Sequence, residues 1–390
     1  MVHSKAIIAI RNNFHELITN AEYYNGQVTD STIRDNLEKT LHHLDNKFGK
    51  WADARVFNDI IYEFISLPHG HDGKLNELYD DEHIESLVDR FIELVCNIPY
   101  EYYVYVPMNT DCFGADEFVI TNGISIVQRA REPETTESLM LRDIMDYPNG
   151  RPFLRITSKG IISAGSGTTW ETPVIRDALS ICKKFLYLSK IRKILQHGYR
   201  RIQKNRHIYV KSITSTDYQP ILMPANFIDY VSCIEWNDED NNWLGFLRNI
   251  EAETKQNLLP IINLINSQNK IYDQINAAIE WAFDAQVNDN KTFSFIQLCI
   301  ALEAIIGESS GSESITKTIA DRCAFYIANS KNQREEIIKD VKEIYNIRSN
   351  LVHGKEVRLS KVNEQYYKKL TWIFDTVINK ELQLIQSTQQ

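Results

Sequence analysis

Ala301-Leu302-Glu303-Ala304-Ile305-Ile306-Gly307 sets one carboxylate into a stretch that is almost wholly apolar from Phe293 onward. An ionised glutamate is costly to bury unless a cation or donor faces it, so Glu303 predicts a partner on a neighbouring helix. Two later stretches offer one. Asp321-Arg322-Cys323-Ala324 carries an arginine among apolar residues. Ile344-Tyr345-Asn346-Ile347-Arg348-Ser349-Asn350-Leu351-Val352-His353-Gly354 carries another close to a glycine that can stop a helix. The apolar periodicity around them predicts helices near 247–266, 271–286, 292–307, 313–329, 333–353 and 361–385, broken at Ser-, Asn- and Gly-containing turns. Strand signals are missing from about residue 245 onward, so this part of the chain reads as an all-α bundle.

Upstream the pattern is different. Residues 1–98 read as helical, with periodic stretches at 32–67 and 84–98 around a Pro68-His69-Gly70-His71-Asp72-Gly73 turn. From Pro99, short runs rich in β-branched and aromatic residues at 100–106, 117–120, 124–129 and 153–163 predict a small sheet. A helix is expected over 173–197 with Gly198 as its stop, further strands at 207–213 and 227–235, and an exposed polar loop at 236–243. The fold class is therefore mainly α, an α+β N-terminal region followed by a helical bundle. The expected domains are 1–98, 99–245 and 246–390, with the bundle core at 268–385.

With 390 residues, 43% hydrophobic and 24% charged, the chain has enough apolar material for two or three ordinary cores and is neither disordered nor fibrous. No apolar run approaches the roughly 18 residues of a membrane span, and the six scattered cysteines contain no C-x-x-C pair, which predicts a cytoplasmic protein without membrane contact, zinc site or disulfide framework. The net charge of −9 argues against nucleic acid until its distribution is considered. Between Asp177 and Asp217 there is no acidic residue, while Lys183, Lys184, Lys190, Arg192, Lys193, Arg200, Arg201, Lys204, Arg206 and Lys211 are interleaved with Phe185, Tyr187, Tyr199 and Tyr209. Cations beside stacking surfaces suit single-stranded nucleic acid, so Lys190, Arg200 and Arg201 are candidate RNA contacts; the same pattern also suits a solvated amphipathic helix.

The order of Glu303, Arg322, Arg348, Asn350, His353 and Gly354 on successive predicted helices resembles the HEPN domains, and among them the ApeA-like group. That group pairs an A-L-E helix with an R-x-A helix and an R-S-x-x-x-H-G helix end. The resemblance covers roughly residues 268–385 and implies a four- or five-helix bundle. It further implies a metal-independent endoribonuclease that needs no cofactor and acts as a homodimer, in the manner of antiviral or toxin effectors, with the N-terminal region sensing a trigger or binding an inhibitor. An Arg-x(4–6)-His match alone has little weight, because 19 arginines and 10 histidines give about 1.5 such matches by chance. The whole arrangement carries the specificity. Ser349 stands where many of these nucleases place Asn, Asp or His, and Lys355 stands where the antitoxin-like members carry tyrosine.

The residue types suit the chemistry. Cleavage by the 2′-hydroxyl needs a group near neutral pKa to move a proton and a cation to hold charge on phosphorus, which His353 and Arg348 provide. Asn350, Ser349 and Glu303 complete the candidate catalytic set, and Arg322 and Lys355 are candidate phosphate contacts. Five residues along a helix turn the side chain by about 140°, so Arg348 and His353 do not share a face, whereas Asn350 and His353 do. The same residues also admit a purely structural role, with Arg348 pairing Glu303 and His353 closing the helix C-terminus. A non-catalytic RNA-binding or dimerising adaptor is the corresponding alternative. Walker A, dinucleotide-binding and G-x-S-x-G patterns are absent, and His69-Gly70-His71-Asp72 lacks a third metal ligand nearby.

Overall fold

The computed structural model describes residues 4–128, 152–163, 172–198, 206–237, 250–267, 272–307 and 315–388, less 21, 25, 26, 29–38, 41, 45, 53, 66–72, 79, 111, 113, 114, 216 and 217. The chain divides into two compact units that interleave in sequence. One comprises Met1–Tyr105, Ile156–Ala178 and His207–Leu222, the other Val106–Arg155, Leu179–Arg206 and Met223–Gln390.

The first unit is built on helices α1 (Ser4–Asn20), α2 (Ala54–Ile65), α3 (Leu75–Leu78) and α4 (Asp81–Cys96). In α4 the buried residues Ile84, Val88, Phe91 and Val95 recur at spacings of three and four, which makes one apolar stripe. It meets Ile10, Phe14, Leu17 and Ile18 of α1, with Phe14 stacked on Phe91 at a centroid distance of 3.8 Å. Asp80 caps α4 by accepting from His83 N at 2.8 Å. Three strands escape the helical reading of residues 1–98: β1 (Glu22–Tyr24), β2 (Gln27–Val28) and β3 (Gly73–Lys74), paired in the order β2-β1-β3. Segments of two or three residues are too short for any period to register. His69, His71 and Asp72 lie outside the described residues.

The expected sheet is present. Strands β4 (Tyr100–Pro107), β5 (Glu117–Thr121), β6 (Ile124–Gln128), β7 (Pro152–Gly160), β9 (His207–Ser212) and β10 (Gln219–Leu222) are hydrogen-bonded in the order β10-β9-β4-β7-β6-β5. Antiparallel register sets Val104 opposite Val210 and Tyr105 opposite Tyr209. At the end of β7, Gly160 has φ +154°, and a Cβ there would stand 2.5 Å from the Trp51 carbonyl oxygen, so only glycine fits.

Two sequence expectations are corrected next to it. Helix α5 (Pro173–Ile191) stops short of His197: Lys193 takes a left-handed φ of 57°, and the N–H groups of Lys193 and Ile194 bond back to the carbonyls of Lys190 and Ser189. A lysine filling the place usually held by glycine leaves no sequence signal. The chain continues into β8 (Leu195–His197), which pairs with β11 (Ile234–Trp236). Most of the expected strand at 227–235 is instead helix α6 (Ala225–Val231), whose buried Phe227, Ile228, Tyr230 and Val231 follow helical spacing. The 238–249 stretch lies outside the described residues.

The C-terminal part of the second unit is helical throughout its described length: α7 (Ile250–Asn266), α8 (Asp273–Val287), α9 (Lys291–Ile306), α10 (Ile315–Ile327), α11 (Lys331–Val352) and α12 (Glu364–Thr388). Asn290 starts α9 by accepting from Thr292 N and Phe293 N. Being apolar on nearly all sides, α9 packs against α8, α10, α11 and α12 at once. Helix α12 also carries a polar group inward: buried Tyr187 of α5 donates to Asp375 Oδ1 at 2.8 Å.

Burial pushes the Asp375 carboxyl up from 3.8 to about 6, opposed by the Tyr187 hydrogen bond and the charge of Lys190. A carboxyl raised on folding binds its proton more tightly in the native state. Its favourable contribution is complete below about pH 4 and lost as pH rises through about 6, a swing of about 3 kcal/mol. Asp375→Asn should therefore be more stable than the wild type by about 1 to 3 kcal/mol at pH 7.5 and nearly equal to it at pH 4, as urea unfolding at the two pH values can measure. A gap that does not widen between pH 4 and pH 7.5 would contradict this.

Candidate functional site

Glu303 on α9 and Arg348 on α11 face each other, Arg348 Nη2 standing 3.4 Å from Glu303 Oε1 with side chains 30% and 27% exposed. The carboxylate thus has the partner its apolar helix requires, and of the two arginines it is Arg348. The contact is an ion pair but too long for the roughly 2.7 to 2.9 Å of a charge-assisted hydrogen bond. Among the described residues, Arg348 Nε is buried with no hydrogen-bond partner, as is the hydroxyl of Tyr345 one turn earlier. A guanidinium with five donors thus has one long contact among the described residues.

Tyr345, Cys299 and Cys323 beside the pair are buried. Burial pushes the Tyr345 phenol well above its ordinary value, with Cys299, Glu303 and Cys323 adding to the rise and Arg348 opposing it. Cys299, one helical turn before Glu303, is raised by burial and then by the Glu303 charge. Cys323 on α10 is pushed up to about 12 by burial, so neither thiol is a ready nucleophile.

His353 is the residue that closes α11. Its N–H donates to Ser349 O at 3.0 Å, and Gly354 follows at φ +71°. Gly354 N then bonds to Leu351 O, while Lys355 N and Glu356 N bond to Asn350 O, which satisfies these two carbonyls of the last turn. The left-handed turn explains the glycine, since a larger residue would be strained there although nothing lies within 4 Å of its Cβ position. The His353 ring is exposed, Asn350 and Ser349 are half-buried, and Lys355 is exposed at the same end. No hydrogen bond joins Arg348 to His353: the arginine turns toward α9 while the histidine caps, as the rotation between them requires. Both structural roles read from the sequence are thus occupied.

Arg322 is placed differently from a phosphate contact. Its Nη1 donates to Ile306 O at 2.8 Å, capping the carbonyl end of α9, which holds α10 to α9 near Glu303. Lys190 is also internal. It donates to Gln286 Oε1 at 2.9 Å and to the Tyr230 hydroxyl at 3.2 Å, and burial lowers its pKa. Lys183 pairs with Asp284 at 2.8 Å and Lys184 with Glu280 at 3.6 Å. The helical half of the basic segment thus turns its cations onto successive turns of α8, which replaces the expected RNA-guiding face at Lys190. Local sequence cannot reveal this, since Glu280 and Asp284 lie almost a hundred positions away. Arg200 and Arg201 lie outside the described residues.

Two features escaped the sequence reading: Tyr345, whose hydroxyl lies buried beside the ion pair, and Asp375, which reads as one more polar residue of a long helix. Among the described residues no three His, Cys, Asp or Glu side chains group as metal ligands would, and no helix is long and apolar enough to cross a membrane. The chain matches no protein-family model, no curated protein and no solved structure.

Removing the Glu303 carboxylate takes from Arg348 the counter-charge that faces it across the two helices. Because both side chains are about one quarter to one third exposed, Glu303→Ala should cost about 1 to 3 kcal/mol, less than a fully buried pair would. Glu303→Gln, which keeps shape and an acceptor, should cost less. Urea titration of both variants checks this, and a Glu303→Ala chain as stable as the wild type would show the pair to be incidental.

Proposed function

We propose that the chain is a metal-independent endoribonuclease of the HEPN type, similar to the ApeA-like group, working as a homodimer through its helical bundle. The observation that carries this reading is the poorly satisfied Arg348 guanidinium, partly open to solvent, five residues before an exposed histidine at a helix end. Such an arginine gains hydrogen bonds when it meets a phosphate.

In the proposed reaction the 2′-oxygen attacks the adjacent phosphorus, the bond from phosphorus to the 5′-oxygen breaks, and a cyclic phosphate and a free 5′-hydroxyl result. His353 removes the 2′-hydroxyl proton, and the second His353 of the dimer supplies one to the departing 5′-oxygen. Arg348 holds the charge that builds on the phosphoryl oxygens. Asn350 and Ser349, half-buried on the same last turn, are suited to orient the sugar, and exposed Lys355 is suited to a flanking phosphate.

A dimer reconciles the separated faces of Arg348 and His353, because two helix ends meeting about a two-fold axis bring both pairs to one phosphate. Large apolar side chains support a contact there: Val352, Val357 and Val362 are 49%, 93% and 74% exposed just before and after the helix end. Phe293 is 59% exposed at the start of α9, where Leu359 N bonds to Thr292 Oγ1. The N-terminal region is the proposed place for a trigger or inhibitor, as in an antiviral or toxin effector. The second reading is a non-catalytic RNA-binding or dimerising adaptor, which the occupied structural roles of Arg348 and His353 favour.

A positioned acid or base contributes ~100- to 10,000-fold, so His353→Ala should reduce RNA cleavage in EDTA by about that factor with the helical content unchanged. Arg348→Lys keeps the charge but loses the planar fork and should be impaired too. Gel analysis of purified wild type, both variants and the Arg348→Ala/His353→Ala pair separates the readings. Wild type that binds RNA without cutting it, indistinguishable from the double variant, supports the adaptor.

A further inference from the structure

Tyr345 is a buried polar residue that the proposed cleavage does not use. It is 6% exposed, and its hydroxyl has no hydrogen-bond partner among the described residues. A buried hydroxyl in that state destabilises a fold, and phenylalanine would fill the same space without the penalty. Three residues further along α11, on the same face, Arg348 shows the same deficiency at Nε. Both groups are donors. The group of opposite kind at this place is Glu303, a carboxylate able to accept about four hydrogen bonds and offered one long contact among the described residues.

Tyr345 responds to both charges of the pair, Glu303 raising its phenol and Arg348 lowering it, and to Cys299 one turn before Glu303. Its hydroxyl therefore lies along the stretch of α9 that carries Cys299 and Glu303. In the proposed reaction Arg348 turns to a phosphate. Its contact with Glu303 is loose enough to break, with both side chains partly open to solvent. The departure strips a part-buried carboxylate of its counter-charge, and unless another donor replaces the arginine the departure is opposed. Arg322 is not that donor, because its Nη1 is committed to Ile306 O at 2.8 Å. The Cys299 thiol is a weak one. A phenol O–H donating to a carboxylate makes a charge-assisted bond, and the three side-chain torsions of Glu303 let the carboxylate swing to it.

We propose that Tyr345 is a positioning residue whose hydroxyl takes over the Glu303 carboxylate when Arg348 leaves it for a phosphate. The hydroxyl stands idle while the ion pair is made and is satisfied only once the arginine has gone. Tyr345 thus favours release of Arg348 without competing for Glu303 beforehand. The phosphate rests on the ribonuclease reading, whereas the exchange of partners can be tested without RNA.

Urea unfolding of the full chain tests it through Tyr345→Phe in three backgrounds. In the wild type the substitution should leave the midpoint unchanged or raise it, since an unpartnered hydroxyl is removed. In Arg348→Met, which imitates the departed arginine while keeping its stem, the same substitution should lower the midpoint, because Glu303 then depends on Tyr345. In Arg348→Met/Glu303→Leu, where the ion pair is replaced by apolar groups, the loss should vanish. Gel assays on RNA provide the second readout: Tyr345→Phe should lower kcat/KM by about tenfold or more in a chain no less stable than the wild type.

An effect of Tyr345→Phe that is equal in the wild type and in Arg348→Met, or a loss that survives Glu303→Leu, would overturn the proposal, as would undiminished cleavage by the Tyr345→Phe chain. A wild type that does not cut RNA would remove the ribonuclease reading and leave the three stability comparisons to decide the exchange. Equal effects in a chain that does cut RNA would overturn this inference alone.

Discussion

The contact between Glu303 and Arg348 constrains the helical part of the second unit. Helix α9 is apolar on nearly every side and therefore sits among its neighbours, yet it carries a carboxylate. A cation on α11 faces that charge, and together with the buried stripe of Ile337, Val341, Ile344, Ile347 and Leu351 this sets the rotation of α11 about its axis. Five residues further on, the chain has turned by about 140°, so the face that carries His353 points away from α9. Gly354 ends the helix there by entering a conformation that L side chains rarely adopt. One electrostatic requirement in the core thus accounts for an exposed histidine at the surface, and Arg322 reinforces the arrangement by capping α9 beside the pair.

A second set of charges stabilises the unit in a different way. Lys183 and Lys184 on α5 pair with Asp284 and Glu280 on α8, and Lys190 donates to the neutral Gln286, so two cations of a segment without a single acidic residue are balanced by distant carboxylates. Net charge and local charge runs describe what a surface can present only after such pairing is taken out. Lys190 and Asp375 influence each other electrostatically within this region, and the carboxyl remains the less comfortable partner.

Much of the architecture was legible in the sequence. The six C-terminal helices lie within a few residues of where apolar periodicity set them, since amphipathic segments longer than ten residues repeat their signal several times. Five strands of the larger sheet were legible as β-branched and aromatic runs bracketed by turn residues, whereas β10 was not. What was hidden rests on single residues or long-range register. Lys193 ends α5 in a left-handed conformation without being glycine, β1 to β3 are too short to show a period, and 225–231 disguises a helix with strand-favouring residues. At the site, the need of Glu303 for a cation was readable from composition alone, whereas the inward turn of Lys190, the capping role of Arg322 and the burial of the Tyr345 hydroxyl depend on which helices become neighbours.

The separation of Arg348 from His353 within one chain gives the proposed chemistry its form: in that proposal the arginine takes a phosphate and the exposed histidine moves a proton. The most direct measurement is analysis of the RNA ends produced by the purified chain in EDTA, using one substrate with a single cleavable ribose and its counterpart carrying a 2′-deoxy sugar at that position. The account predicts a 2′,3′-cyclic phosphate and a 5′-hydroxyl from the first and no cut at that position in the second. A 3′-hydroxyl with a 5′-phosphate, or equal cutting of the deoxy counterpart, would contradict it.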